Sequence, residues 1–510
     1  MMLRQSMAGL HTWGGLLPSW LLFVIIFAGT LACFDKELER WMRPALHTPA
    51  ATAMTATDVG NWVQANVQAP LHAYWLHGPT EREPYWRLGW EEDESGTRGR
   101  VAFDPRTGRP MPETVGGEFF FTLHYNLHAG TIGMYIVGLA GMFMLVALVS
   151  GIIVHRRIFK DFFTLRPQAN GQRAWLDAHN LFGVIGLPFH LILAYTGVAV
   201  FIASYMPAGA MVAYGGDPLA FYEEVQGGYH RNELNQPPGR FAPLETLLTD
   251  ARERWDGAEI GWIIVEHPSD ASAVVSVRRF DPSRIGSPQD ALSYDAFTGE
   301  LLHQQQAPAG YRAYIWLVGL HMAQFGGHIV RLLYGLLGLA GCAMLIAGTG
   351  VWLRKREGRQ IRGIEIVRAL NGAVFFGMPI ASLALLWANR LLPDTLAERG
   401  AAEAWCFSLA WLAVAVFAYL SRRQPLGLSR RLSALLAILA LGLPLLNGLT
   451  TPEGHLLASL ARGELMLAGI DAVLLLVGSL CAWYSLRSPQ TKKPAREETR
   501  PATRQQELAP

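Results

Sequence analysis

Long apolar runs separated by polar stretches dominate the hydrophobic pattern of this chain. A membrane-spanning helix needs about 20 mostly apolar residues. Eight stretches approach or exceed that length: 16–34, 130–154, 180–204, 329–353, 367–390, 404–420, 432–449 and 464–486. The pattern predicts a polytopic α-helical membrane protein with about eight transmembrane helices. No small-residue cleavage site follows the first run, so we expect it to remain as an uncleaved helix.

Two long polar segments, 35–127 and 205–327, separate the first four apolar runs and share a repeated motif. Val101–Gly108 reads VAFDPRTG and Leu292–Gly299 reads LSYDAFTG, so each joins alternating apolar residues to a D-x-x-T-G turn. Such alternation before a turn is typical of a β-hairpin. Each segment is therefore predicted to form a small extracytoplasmic α+β domain that contains an antiparallel hairpin.

The helices that flank these segments repeat as well. The tetrapeptide Gly-Leu-Ala-Gly stands at 138–141 and at 338–341, and at that spacing His128 falls on His328. Before the first and third spans, a histidine is followed by a glycine and then by Leu-Pro: His11, Gly15 and Pro18; His179, Gly183 and Pro188. The predicted unit is helix, extracytoplasmic domain, helix, used twice. The last four apolar runs show no such pattern.

The composition agrees with a membrane protein. Of 510 residues, 51% are hydrophobic and 16% are charged, and the mean hydropathy is +0.20. These values are too apolar for an ordinary soluble protein of this size. A net charge of +2 gives no sign of an acidic partner, so we expect no binding to nucleic acid. The four cysteines form no Cys-x-x-Cys motif, which argues against a disulfide framework or a zinc site.

Basic residues are distributed unevenly among the short connections. They concentrate in 155–175, 354–366, 421–431 and the tail, whereas the loops 391–403 and 450–463 hold only Arg399 and Arg462. Because lysine and arginine mark the cytoplasmic side, both termini are expected in the cytoplasm. The polar segments then face the periplasm, if the cell is Gram-negative. The tail, 487–510, is too polar to bury a core and is predicted to be disordered.

Histidines supply the candidate chemistry. Seven of the fifteen lie at or inside apolar stretches: His11, His124, His128, His179, His190, His321 and His328. Hydrocarbon penalises imidazole, so histidines at membrane depth usually face the interior of a bundle and have a function. Two helices that each present one imidazole can hold a haem iron between them. We therefore predict a membrane b-type cytochrome with two haems.

The helix ends suggest pairs of ligands. His11 and His179 occupy equivalent cytoplasmic ends, where they either hold one haem or turn towards water. His128 and His328 occupy equivalent outer ends and are predicted to hold the second haem. On continuous helices His124 would share a face with His128, and His321 with His328. The spacing therefore leaves open which imidazole of each helix binds iron. Interfacial packing against the polar domains is the alternative.

Other polar residues in or beside the spans have several interpretations. His190 follows His179 by eleven residues, about three turns, so a straight helix would point both the same way. It is then either a further ligand or a hydrogen-bond donor to a haem propionate or a carbonyl. Arg331, one turn after His328, is a partner for a propionate or an interfacial anchor. Asp471 is protonated, paired with Asn447 or part of a proton or quinone path. His155 is expected to be solvated.

These features resemble a known family. The helix sequences AHNLFGVIGLPFHLILAYTGV from Ala178, LHMAQFGG from Leu320, RLLYGLLGLAG from Arg331 and TGVWLRKR ending at Arg356 carry the resemblance, with the element order and the two D-x-x-T-G hairpins. Together they are similar to the PepSY-associated transmembrane helix family over roughly 8–356. The resemblance implies an iron-regulated inner-membrane protein of the siderophore-reductase type, with haem b as cofactor and ferric siderophore as electron acceptor.

The resulting domain plan has seven parts: transmembrane helix 1 (8–34), PepSY-like domain 1 (35–127), helices 2 and 3 (128–204), PepSY-like domain 2 (205–327), helix 4 (328–356), helices 5–8 (367–486) and the tail (487–510). The resemblance says little about helices 5–8.

Bis-imidazole iron has no open coordination position, so it suits electron transfer better than oxygen chemistry. No Gly-x-Gly-x-x-Gly unit follows a strand, and no predicted cytoplasmic segment could hold a flavin or nicotinamide domain. The electron donor is therefore expected to be a membrane quinol or a separate reductase. Two other functions stay open: a non-redox transporter or permease for iron or siderophore uptake, and a PepSY-type regulatory or binding protein.

Overall fold

The computed structural model describes residues 2–48, 50–51, 53–93, 95–155, 166, 171–226, 229–357 and 363–487. Apart from Arg487, the predicted disordered tail 487–510 lies outside the described residues. The first repeat runs α1 (Met2–Leu16), α2 (Ser19–Ala32), α3 (Asp35–Met42), α4 (Ala56–Asn66), β1 (Leu71–His77), β2 (Arg87–Glu92), β3 (Arg98–Ala102), α5 (Glu118–Asn126) and α6 (Gly130–Val154).

The second repeat follows the same order with insertions. It runs α7 (Gly171–Ile185), α8 (Leu187–Val200), α9 (Ile202–Tyr205), α10 (Ala208–Ala213), α11 (Pro218–Gln226), α12 (Leu244–Arg254), β4 (Glu259–Glu266), β5 (Val274–Phe280), β6 (Ala291–Asp295), β7 (Leu301–Gln305), α13 (Ala309–Met322) and α14 (Gly327–Arg356). The C-terminal part contains α15 (Ile364–Leu391), α16 (Arg399–Leu420), α17 (Pro425–Thr450), α18 (Leu456–Ala461) and α19 (Leu465–Leu486).

Six described helices are long and apolar enough to cross a membrane, namely α6, α14, α15, α16, α17 and α19. Two further spans are broken: α1 and α2 meet at 60°, and α7 and α8 at 65°. The Leu-Pro pairs of the sequence mark both breaks, because proline lacks an N–H and its ring clashes with the preceding turn. Up to eight spans result, which confirms a polytopic helical membrane protein.

The strands of both polar segments form one antiparallel sheet in the order β3-β2-β1-β4-β5-β6-β7. The two predicted hairpins are β2–β3 and β5–β6. The D-x-x-T-G turns follow the second strand of each hairpin, and the one after β6 joins it to β7. These two turns are equivalent: the N–H of Gly108 donates to the Asp104 carbonyl at 2.8 Å, and that of Gly299 to the Asp295 carbonyl at 3.0 Å. Both glycines have positive φ, a conformation that glycine adopts without steric cost.

The prediction of two separate small domains is not confirmed, because the repeats share this sheet. The first strands of the two repeats, β1 and β4, pair antiparallel, with Tyr74 opposite Val265. Helices α4 and α12 contribute to one common core under the sheet, through residues such as Val63 and Leu247. Equivalent strands therefore meet at the centre of the sheet, and neither half buries its apolar face alone.

Short helices separate the sheet from the spans and were not predicted. Helix α5 ends at Asn126 and α6 begins at Gly130, with Leu127 and His128 between them at positive φ. In the second repeat Ala323, also at positive φ, ends α13 before α14 begins. The assumption that His124 shares a helix with His128, and His321 with His328, is therefore wrong. His124 lies on α5 and His321 on α13.

Candidate functional site

Two imidazoles meet at the end of the bundle nearest the sheet, and we call them the sheet-side pair. The ring centroids of His124 and His321 are 5.9 Å apart, with ring planes 28° apart. His124 Nδ1 donates to the Ile25 carbonyl at 2.8 Å. His321 Nδ1 donates to Thr196 Oγ1 at 3.0 Å, since that hydroxyl donates its own proton to the Ile192 carbonyl, and the ring also contacts the Leu193 carbonyl. One ring comes from each repeat.

A second pair lies at the opposite end, and we call it the far-side pair. The centroids of His11 and His179 are 6.1 Å apart, with planes 65° apart. His11 Nδ1 donates to the Ala147 carbonyl and His179 Nδ1 to the Met344 carbonyl, both at 2.9 Å. The structure thus brings together His11 and His179, which the sequence paired as equivalent helix ends. His155 adds a third ring 6.4 Å from His11, a neighbour that the sequence did not indicate.

The chemistry of both pairs fits a haem iron. A carbonyl can only accept, so each Nδ1 bonded to one carries the proton, which leaves the Nε2 of a neutral ring free to bind metal. Among the described residues, no hydrogen-bond partner is found for Nε2 of these four histidines. With metal–nitrogen distances of about 2 Å, two imidazoles on opposite sides of one iron have centroids about 6 Å apart. Both observed separations match that value.

The predicted outer pair is not formed. His128 Nε2 donates to the Phe119 carbonyl at 2.9 Å, and the two rings lie 4.5 Å apart. His328 Nδ1 accepts from Arg331 Nη2 at 2.7 Å. No contact between the His128 and His328 rings is found in the part of the chain that the structure describes. The helix breaks cause this correction, since they turn each histidine away from the face that a continuous helix would give it.

His190 stands alone. It is buried, and its Nε2 donates to the Leu337 carbonyl at 3.1 Å. The 65° break between α7 and α8 lies between His179 and His190, so the argument from three straight turns does not hold. Of its predicted alternatives, the hydrogen bond to a carbonyl is the one observed.

A charged cluster lies at the start of α14. Arg331 is 4% exposed, its Nε has no partner among the described residues, and Glu37 Oε1 lies 3.9 Å from its Nη2. Arg82 contacts the same carboxylate at 2.7 Å. Burial alone would raise the pKa of Glu37, but the hydrogen bonds and charge of Arg82 outweigh it and lower the pKa.

The unsatisfied guanidinium nitrogen suits Arg331 for a propionate, as the sequence suggested. The position of Arg331 also fits that task. Tyr334, one turn further along α14, donates to the carbonyl of Leu320, the neighbour of His321, at 2.7 Å. Arg82 comes from a loop, so nothing in the sequence pattern indicated its part in this cluster.

A cavity of about 720 Å³ adjoins the other face of α5. Phe119, Phe407 and Trp411 contribute apolar walls, and Arg100 and Glu118 contribute charged side chains to the lining. Leu123, which precedes His124, also lines it. One residue of the cavity wall is thus the sequence neighbour of His124, a member of the sheet-side pair.

Comparison with known proteins bears on the first two thirds of the chain. The model of the PepSY-associated TM region matches residues 8–355. A protein of Pseudomonas aeruginosa strain PAO1, uncharacterized protein PA4219, is 26% identical over 390 residues, which cover 73% of this chain and 95% of that protein. The family match contains all four histidines of the two pairs, and the helices from α15 onwards lie beyond it.

Proposed function

Since the chain belongs to the PepSY-associated TM region family, we propose that it holds two b-type haems and passes electrons across the bacterial inner membrane to ferric siderophore iron in the periplasm. The observation that carries this proposal is the presence of two imidazole pairs, one at each end of the repeated bundle. Ring separations of 5.9 and 6.1 Å and main-chain hydrogen bonds at the rings make both pairs suited to iron.

Bound haem would supply one-electron redox chemistry, and the residues of the chain would fix its place. Each pair combines one histidine from each repeat, so a cofactor at either site would lie between the repeats. The main-chain hydrogen bonds at the rings hold their orientation, as partners of metal-binding histidines usually do. Arg331 would pair with a propionate near the sheet-side pair.

The proposed direction of electron transfer rests on the positions of the basic residues. The described basic residues in the last turn of α14 and just after α16, such as Arg354 and Arg422, lie at the ends of the spans opposite the sheet, so the far-side pair would face the cytoplasm. Both termini would then be cytoplasmic and the sheet periplasmic. With no nucleotide-binding domain indicated by the sequence, electrons would come from a membrane quinol or a separate reductase.

The haem content of the purified protein tests this function. Protein expressed with ample haem precursor and solubilised in detergent should be red, contain about two haems per chain by pyridine haemochrome assay, and show low-spin ferric signals for bis-imidazole iron. Reduced protein should then be reoxidised by a ferric trihydroxamate siderophore. Colourless, iron-free protein made under the same conditions would end the proposal.

The cavity beside α5 is the proposed place for the acceptor, because its volume lies in the range of small-molecule sites. Replacing Ala404, which lines it, with tryptophan should raise the siderophore concentration for half-maximal reoxidation about tenfold, a loss of about 1.4 kcal/mol. The haem spectrum should not change. Ala413→Trp on the same helix, exposed and outside the lining, is the matched control. Equal reoxidation by both variants would place the acceptor elsewhere.

A further inference from the structure

Every paired imidazole packs against a glycine of a neighbouring helix. A Cβ added at Gly29 would lie 2.6 Å from His124 Nδ1, and one at Gly197 would lie 2.8 Å from His321 Cε1. At the far side, a Cβ at Gly151 would lie 3.1 Å from His11 Cε1, and one at Gly348 would lie 3.2 Å from His179 Cε1. Any larger residue at these positions would press on the ring.

The glycines stand in a fixed relation to the hydrogen bonds. Each follows by four residues a carbonyl that its histidine contacts: Ile25 and Gly29, Ala147 and Gly151, Leu193 and Gly197, Met344 and Gly348. The carbonyls of Ile25, Ala147 and Met344 accept directly from Nδ1. In an α-helix the carbonyl of residue i points at the N–H of residue i+4. The side chain of residue i+4 leans back over that turn. Glycine at i+4 therefore exposes the carbonyl to a second donor from the side.

We propose that Gly29, Gly151, Gly197 and Gly348 are positioning residues that set the orientation of the four iron-binding imidazoles. We call each combination of an accepting carbonyl and a glycine four residues later a carbonyl–glycine seat. The inference rests on the proposed function and names the residues that would make its two sites rigid. The seat fixes which nitrogen carries the proton and where the free Nε2 points, and both determine ligand strength.

The carbonyl–glycine seats and the histidine pairs differ in which repeats they join. His11 is seated on α6, His124 on α2, His179 on α14 and His321 on α8, so every histidine is seated within its own repeat. The pairs, in contrast, form between repeats. Each repeat thus orients its own two rings, and packing of the repeats brings the two rings of each pair to about 6 Å.

Alanine at each seat tests the inference, and the distances predict a ranking. Gly29→Ala and Gly197→Ala, with contacts below 3.0 Å, should alter the sheet-side site most. We expect loss of that haem, or a shifted low-spin ferric signal and midpoint potential together with new binding of carbon monoxide, while the far-side signals persist. Gly151→Ala and Gly348→Ala should change only the far-side signals, and by less.

Two glycines provide matched controls. Gly15→Ala lies on α1 one turn after His11, where the new Cβ meets no described atom within 4 Å. Gly341→Ala presses on His190 at 2.7 Å and stands four residues after the Leu337 carbonyl, so it disturbs a seat whose histidine has no paired ring. Both variants should keep both sets of haem signals. Wild-type signals in Gly29→Ala and Gly197→Ala, or equal changes in Gly341→Ala, would overturn the inference.

A measurement without haem separates this inference from the proposed function. In haem-free protein carrying ¹⁵N-labelled histidine, the four seated rings should show protonated Nδ1, and Gly29→Ala should remove that signature from one ring. If wild-type protein binds no haem, the proposed function fails, and the nitrogen spectra still decide whether the seats orient the rings. Unchanged spectra in Gly29→Ala would reject the seats.

Discussion

Replacing His124 or His321 with alanine should remove the sheet-side haem and leave the far-side haem in place. Haem content should fall from about two to about one per chain, and one of two midpoint potentials should disappear, because loss of one axial imidazole leaves the iron without a strong ligand. His11→Ala and His179→Ala should have the complementary effect. Pyridine haemochrome assays and redox titrations of the purified variants measure both quantities.

The controls for this expectation are the histidines that the sequence placed in the outer pair. His128→Ala and His328→Ala should keep both haems, since His128 donates to the Phe119 carbonyl and His328 accepts from Arg331. His190→Ala should also keep both, although it empties a buried site. If His128→Ala lost a haem while His124→Ala kept both, the pairing of His124 with His321 would be contradicted.

The seven histidines were identifiable from the sequence because imidazole in an apolar run is conspicuous. Their pairing at the sheet side was not, since it depends on the break between α5 and α6. Leu127 and His128 adopt positive φ there, a conformation that is uncommon outside glycine and has no reliable sequence signal. The breaks at Pro18 and Pro188 were marked by residues that interrupt helices, and these could have warned against a straight helix through His190.

In the sheet, too, features set by neighbouring residues were predicted, and features set by residues far apart in sequence were not. Alternating residues and the D-x-x-T-G turns predicted the two hairpins, because a hairpin is specified by neighbours in sequence. The pairing of β1 with β4 joins residues such as Tyr74 and Val265, which are far apart along the chain. The sequence shows the glycines of the seats in apolar helices. It does not show which carbonyl each imidazole contacts, and that contact defines a seat.

The C-terminal helices lie outside the family region and hold the first part of the chain through buried polar contacts. Glu403 is fully buried; one oxygen accepts from Arg399 at 2.7 Å and the other from Thr114 Oγ1 at 2.7 Å. Asn389 donates to the same carboxylate at 2.9 Å. This cluster links α15 and α16 to the segment that leads from the sheet into α5. It therefore fixes the helix that carries His124.

A second buried contact joins α3 to the same helices. The Arg390 guanidinium lies 3.8 Å above the Trp41 ring, and its Nε donates to Asn447 at 2.9 Å. Trp41 Nε1 donates to Asp471 at 3.4 Å. The other oxygen of Asp471, Oδ2, has no hydrogen-bond partner among the described residues, so pairing with Asn447 stays a prediction. These contacts join the last helices to α3.

Glu403→Ala should destabilise the protein by about 3–5 kcal/mol, because removing one partner leaves the buried Arg399 charge uncompensated. The midpoint of heat-induced loss of helical circular dichroism in detergent should fall sharply, and the sheet-side haem should be released first, since α5 loses its support. Glu365→Ala is the control: Glu365 pairs with Arg422 and Arg423 at an exposed site, where an ion pair contributes about 1 kcal/mol or less. Equal melting of the two variants would show that the buried cluster does not hold the C-terminal helices to the family region.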